Sequence, residues 1–148
     1  MTPLSVLIPG EPVSQGRPRF ARVGKFVRTY DPAKSRNWKA TAQAHFRDAL
    51  QAAGITAPFQ GPLECRILAR FTCPKSDWRK REPVPQRPHA KRPDAENVGK
   101  AVLDSATGVV WLDDAQVAKL TIVKVVGAQG EAPGVEVQVW PICAGGAR

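Results

Sequence analysis

The sequence predicts an α/β domain of the α+β kind: a small mixed sheet of about four to six strands carrying two main helices. Three observations lead there. Apolar residues recur at helical spacing in two stretches, 32–53 and 94–107. Strict alternation from Leu63 to Cys73 marks a half-buried strand. Short apolar runs elsewhere end at Gly or Pro, as strands do. The 148 residues suit a single domain, 1–148, with one core.

Taken in order, Leu4 to Ile8 is an apolar run closed by Pro9-Gly10 and reads as the first strand. Residues 9–25 are rich in Gly, Pro and Arg and read as a loop continuing into a ribbon through Phe26 and Val27. Asp31-Pro32 supplies a helix start, Asp as N-cap and Pro at the first helical position. Trp38, Ala42, His45, Phe46, Ala49, Leu50 and Ala53 then share one face, and Gly54 stops the helix. In the next strand Leu63, Cys65, Ile67, Ala69, Phe71 and Cys73 face the core, with Glu64, Arg66, Arg70 and Thr72 opposite.

Residues 74–93 hold five prolines and seven basic residues, which excludes a regular helix or a central strand. A loop of this length in a small domain is a functional candidate. The second helix follows, with Asp94 as cap, Val98, Ala101, Val102 and Ser105 inward, and Gly108 as its end. Val109-Val110-Trp111 is expected as a short strand interrupted by Asp113-Asp114. Residues 116–126 and 135–140 are expected as a hairpin through the 127–134 turn.

Composition narrows the function. No apolar run approaches the roughly 18 residues of a membrane helix, and the N-terminus lacks a signal-peptide pattern, so a cytoplasmic setting is expected. Cys65, Cys73 and Cys143 form no C-x-x-C, and only His45 and His89 are available, which argues against Cys/His zinc. No phosphate-binding loop matches at Gly10–Gly16, and Ser14 and Ser105 have no His-Asp pattern beside them, so neither nucleotide hydrolysis nor Ser catalysis is supported. The net charge of +9 favours a polyanionic partner, because neutralising phosphates releases condensed counterions.

The acidic residues cluster in one stretch. Asp94 and Glu96 stand at a helix start, and Glu96, Lys100 and Asp104 line one face at intervals of four. Asp113 and Asp114 follow the short apolar run and can point back toward that helix. Phosphodiester hydrolysis needs an activated water and charge neutralisation, which carboxylate-held Mg²⁺ (or Mn²⁺) supplies. Each residue also has a plainer reading. Asp94 caps, Glu96 complements the helix dipole, Lys100 and Asp104 form a surface pair, and Asp113-Asp114 make a turn.

The run Arg92-Pro93-Asp94-Ala95-Glu96-Asn97-Val98-Gly99-Lys100, then Leu103-Asp104 and residues 108–117, resembles the RusA family of Holliday junction resolvases. The starts Gly10-Glu11-Pro12-Val13 and Arg17-Pro18-Arg19 resemble it too. The resemblance implies a homodimeric, Mg²⁺- or Mn²⁺-dependent endonuclease cutting four-way DNA junctions in bacterial or prophage recombination and repair. It places the essential carboxylates on Asp94, Glu96 and Asp114, the lysine on Lys100, and Asp113 beside the metal. Glu96 departs from the family's usual Asp and reaches one methylene further.

DNA-backbone contacts are expected from Arg17, Arg19, Arg22, Lys75, Arg79, Lys80, Arg81, Arg87, Lys91 and Arg92, with Phe20 or Trp78 as wedge candidates. No small-molecule cofactor or membrane partner is expected. Two other readings stand beside this one: a prophage-derived protein that binds structured DNA without cutting it, and a nuclease for other branched DNA.

Overall fold

The computed structural model describes residues 3–15, 19–30 and 33–143. Its elements run β1 (Leu4–Pro9), β2 (Arg19–Val23), β3 (Phe26–Tyr30), α1 (Ala33–Ala52), β4 (Leu63–Phe71), β5 (Arg87–Pro88), α2 (Ala95–Ala106), β6 (Val117–Val126) and β7 (Gly134–Pro141). The fold is α+β, as expected: a five-stranded mixed sheet in the order β1-β7-β4-β6-β5, two helices, and a separate β2–β3 ribbon. The expected start of α1, Asp31-Pro32, lies outside the described residues.

Both helices cover the same face of the sheet. Trp38, Ala42, Phe46 and Leu50 of α1 and Ala101, Val102 and Ala106 of α2 bury against alternate residues of β1, β4 and β7. This is the two-layer solution open to amphipathic helices beside a sheet with one apolar face. Gly99 allows the close approach of α2 to β6, since a Cβ there would strike Ile122. The alternation read for β4 holds on the inner face, where Leu63, Cys65, Ile67, Ala69 and Phe71 are all buried.

Two expectations are corrected. Residues 109–111 are not a strand: the segment is a turn, with Trp111 making isolated bridges to Phe59 and Thr107. Three apolar residues cannot form a ladder where Gly108 (φ 85°) has already reversed the chain. Nor are β6 and β7 a hairpin. β4 lies between them, parallel to β6 and antiparallel to β7. Local turn signals say where strands end, not which strand each will pair with. Glu64 lies on the outer face, as expected, and is only 1% exposed. Arg66 (3.3 Å) and Lys119 (3.7 Å) pair with its carboxylate, and Trp140 stands opposite it in register.

Cys65 lies in the core, and loss of solvation pushes its thiol up to about 12. Cys143 is exposed. A neutral-pH thiol reagent should therefore label Cys143 in the native protein and reach Cys65 only under denaturant. Mass spectrometry of the labelled peptides checks this, and prompt native labelling of Cys65 would contradict the packing. No helix among the described residues is long and apolar enough to cross a membrane.

Candidate active site at the start of helix α2

The chain reaches the site through the proline-rich loop. Pro88 sits where a proline can: on a two-residue edge strand, β5, paired antiparallel with the end of β6. The loop before it is clamped to the β6–β7 connection by one side chain. Gln129 accepts from the backbone N–H groups of Arg79 (3.0 Å) and Val84 (3.1 Å) and donates to the Arg79 carbonyl (3.0 Å). Its own N–H donates to the Val84 carbonyl, and Val84 is buried. Lys75, Arg79, Lys80, Arg81, Lys91 and Arg92 are all exposed.

Two of the expected DNA contacts look different in place. Arg87 is paired with Asp77 at 2.6 Å, so its charge is partly neutralised within the loop. Trp78 is 45% exposed, with its indole N–H donating to the Cys73 carbonyl at 3.2 Å. Arg22 is exposed on β2. Arg17 and the side chains of Arg19 and Phe20 lie outside the described residues.

Asp94 occupies the N-cap position of α2, with extended backbone (φ −66°, ψ 145°). Its carbonyl accepts the first helical bond, from Val98 N–H at 3.1 Å. Its carboxylate makes no cap bond. The plain capping reading thus does not account for the side chain, which is exposed and available to a ligand. Asp94, Asn97, Ser14, Arg92 and Pro93 line an open cleft of 650 Å³. One wall is fixed by the Gln15 N–H, which donates to the Asn97 carbonyl at 2.9 Å.

Glu96 is exposed in the first turn of the same helix, and Lys100 is exposed one turn later. Asp104 does not pair with Lys100. It receives Lys39 of α1 at 3.5 Å. That contact joins the two helices and leaves Lys100 without an ion pair among the described residues.

Asp113 and Asp114 are not brought to this end of the helix. Asp113 caps a 3₁₀ turn, Asp114–Gln116, accepting from Ala115 N–H at 2.9 Å. Gln116 accepts from the Leu112 and Asp113 N–H groups and donates to the Phe59 and Gly61 carbonyls. The turn leads directly into β6, and α2 lies over that strand in the reverse direction, Gly99 above Ile122 and Pro93 beside Lys124. Val117 and Lys124 are seven residues apart along β6, a span of about 23 Å at the usual strand rise. Asp114 precedes Val117, so the length of α2 separates it from Asp94 and Glu96. Among the described residues no three acids, histidines or cysteines come close enough to hold a metal. Within one chain, then, the carboxylates expected to bind Mg²⁺ do not form a complete donor set. Asp113 and Asp114 follow a turn that comes after the C-terminal end of α2.

Sequence reasoning passed over Gln116, Gln129 and Lys124. The first had a signal, since Asp113-x-x-Gln116 fits a capping box. The other two are polar residues whose partners are distant in sequence.

The two-layer α+β domain thus presents an exposed carboxylate at a helix start, with exposed cations in the loop before it. The family described as "Endodeoxyribonuclease RusA" matches residues 9–140. The chain belongs to the RusA endodeoxyribonuclease family. It is also 35% identical over 146 residues to an uncharacterized protein, YqaN, of Bacillus subtilis (strain 168), an alignment covering 91% of this chain and 94% of that protein.

Proposed function

We propose that this protein is a homodimeric Holliday junction resolvase that nicks four-way DNA junctions in a reaction dependent on Mg²⁺ or Mn²⁺. The observation that carries the reading is the Asp94 cleft. In a chain of this family, the helix-start carboxylate is free of any capping bond and bordered by Arg92. Asp94 and Glu96 are two donors for a hard cation, with Lys100 one turn on as a phosphate or water contact. The missing donor is Asp114. Because α2 holds it away from Asp94 within a chain, the reading assigns it to the opposite subunit of the dimer, so that two chains build two sites. Twofold symmetry then matches the paired nicks a junction requires. Arg22, Lys75, Arg79, Lys80, Arg81, Lys91 and Arg92 would supply the backbone attraction that the acids alone oppose.

The test is cleavage of a labelled synthetic four-way junction against linear duplex, with Mg²⁺ and with EDTA. Symmetric nicks confined to the junction and abolished by EDTA are expected. Asp94→Asn should lower cleavage by at least about 10³-fold while junction affinity changes by less than about threefold. Cleavage that survives in Asp94→Asn would remove Asp94 from the metal site.

A second reading is a structured-DNA-binding protein without catalysis. The incomplete donor set in one chain and Glu96 in place of the family's Asp favour it. It predicts tight junction binding, no cut in either metal, and no Asp94-dependent heat of Mn²⁺ binding. Cuts in flaps or forks but not in junctions would instead select the reading as a nuclease for other branched DNA.

A further inference from the structure

The residues just before Asp94 have almost nothing to hold them. Between β5 and α2 the chain runs from His89 to Asp94. Among the described residues, 90–93 make no backbone–backbone hydrogen bond. Lys91 and Arg92 are exposed, and the helix begins only after Asp94. A free segment of this kind would leave the carboxylate wandering by more than a metal or a phosphate tolerates.

One side chain removes that freedom. Lys124, half-buried on β6, sends its ammonium beneath the segment and donates to the Lys91 carbonyl at 2.7 Å and the Pro93 carbonyl at 2.6 Å. The Nδ1 of His89 stands 3.4 Å away, a direction for the third proton. The strand backbone adds a fourth tie, since His89 N–H donates to the Lys124 carbonyl at 3.1 Å. His89 is itself held by stacking on Phe71, centroids 4.5 Å apart. Charge-assisted bonds of this length are roughly twice as strong as neutral ones. The Pro93 carbonyl belongs to the peptide that carries the Asp94 nitrogen, so the tether acts one bond from the residue it positions.

From this we infer that Lys124 is a positioning residue for the Asp94 site. Its ammonium fixes the Lys91–Pro93 backbone from behind and so sets where the Asp94 carboxylate stands. It acts through that backbone and not on DNA. The inference rests on the resolvase reading of Asp94 for its effect on cleavage, but not for its effect on the segment.

The experiment compares wild type, Lys124→Met and Lys124→Arg as full chains. Met keeps the length and apolar stem and loses all donors. Arg keeps charge and two donors in a fork. In the metal-free protein, hydrogen exchange at the two bonded amides that flank the segment, His89 and Val98, should quicken about tenfold or more in Lys124→Met and stay near wild type in Lys124→Arg. In junction cleavage, Lys124→Met should lower kcat by about 10–100-fold and raise the Mn²⁺ half-saturation by a similar factor, with KM for the junction unchanged. Lys124→Arg should recover most of both. General loss of folded protein would lower kcat without moving the metal half-saturation.

Unchanged exchange at His89 and Val98 in Lys124→Met overturns the inference. So does quickened exchange with unaltered kcat and metal dependence. If wild type cuts no branched DNA, the resolvase reading fails, and the exchange data alone still decide whether Lys124 positions the segment. Should Lys124→Met not fold, Lys124→Gln, which keeps an uncharged, shorter NH₂ donor group, takes its place with intermediate shifts expected.

Discussion

Mixing two inactive proteins is expected to restore nicking. Asp94→Asn and Asp114→Asn should each lose cleavage when tested alone. Each homodimer carries the same defect in both sites if Asp114 is contributed across the dimer. In a heterodimer of the two, one site collects both substitutions and the other collects neither. Random exchange of subunits makes half the dimers mixed, so about a quarter of the wild-type number of sites should return. Those sites should produce single nicks and not paired ones, because each mixed dimer has only one working centre. The measurement is junction nicking by the refolded mixture against each parent. A mixture as dead as its parents would mean that Asp114 works within its own chain or not at all. The physical ground is the stretch of β6 between Val117 and Lys124, which no side-chain rotation can bridge.

Trp111→Ala is expected to be among the most damaging single changes to stability. Trp111 is fully buried and is the largest such side chain. Its indole N–H donates to the Thr107 hydroxyl at 3.1 Å, and its backbone bridges Phe59 and Thr107. Removal of a buried Trp costs about 3–5 kcal/mol. For a domain of this size that corresponds to a fall in Tm of roughly 10 °C. Urea unfolding followed by circular dichroism checks it. A loss below about 1 kcal/mol would show that the neighbours close over the cavity. Because Trp111 anchors the turn that presents Asp114, Trp111→Phe should be the milder variant in both stability and cleavage.

How far the sequence carries can be judged residue by residue. The stripe of α1 and the inner face of β4 were legible because burial repeats with the period of the element itself. The position of β7 was not, because its partners β1 and β4 are distant in sequence and no turn residue encodes them. Asp94, Glu96 and Lys100 could be found as a group because they lie within two turns of one helix. Their distance from Asp114 could not be read. The motif gives residue types in order and says nothing of which end of α2 each will face. Lys124 sits in a largely apolar strand, where a lysine reads as a solvent-facing position, and only the fold puts carbonyls within its reach.

The Gln129 clamp bears on the thermodynamics of association. A basic loop that must be ordered by its ligand loses conformational entropy on binding and shows a large negative heat-capacity change. Here the backbone carrying Arg79 is already fixed, and the exposed cations around it meet the ligand on an ordered frame. Binding to a polyanion should then be governed by release of small ions, steep in salt and shallow in temperature. Gln129→Ala would move the balance the other way, making the same cations wait for their partner to arrange them.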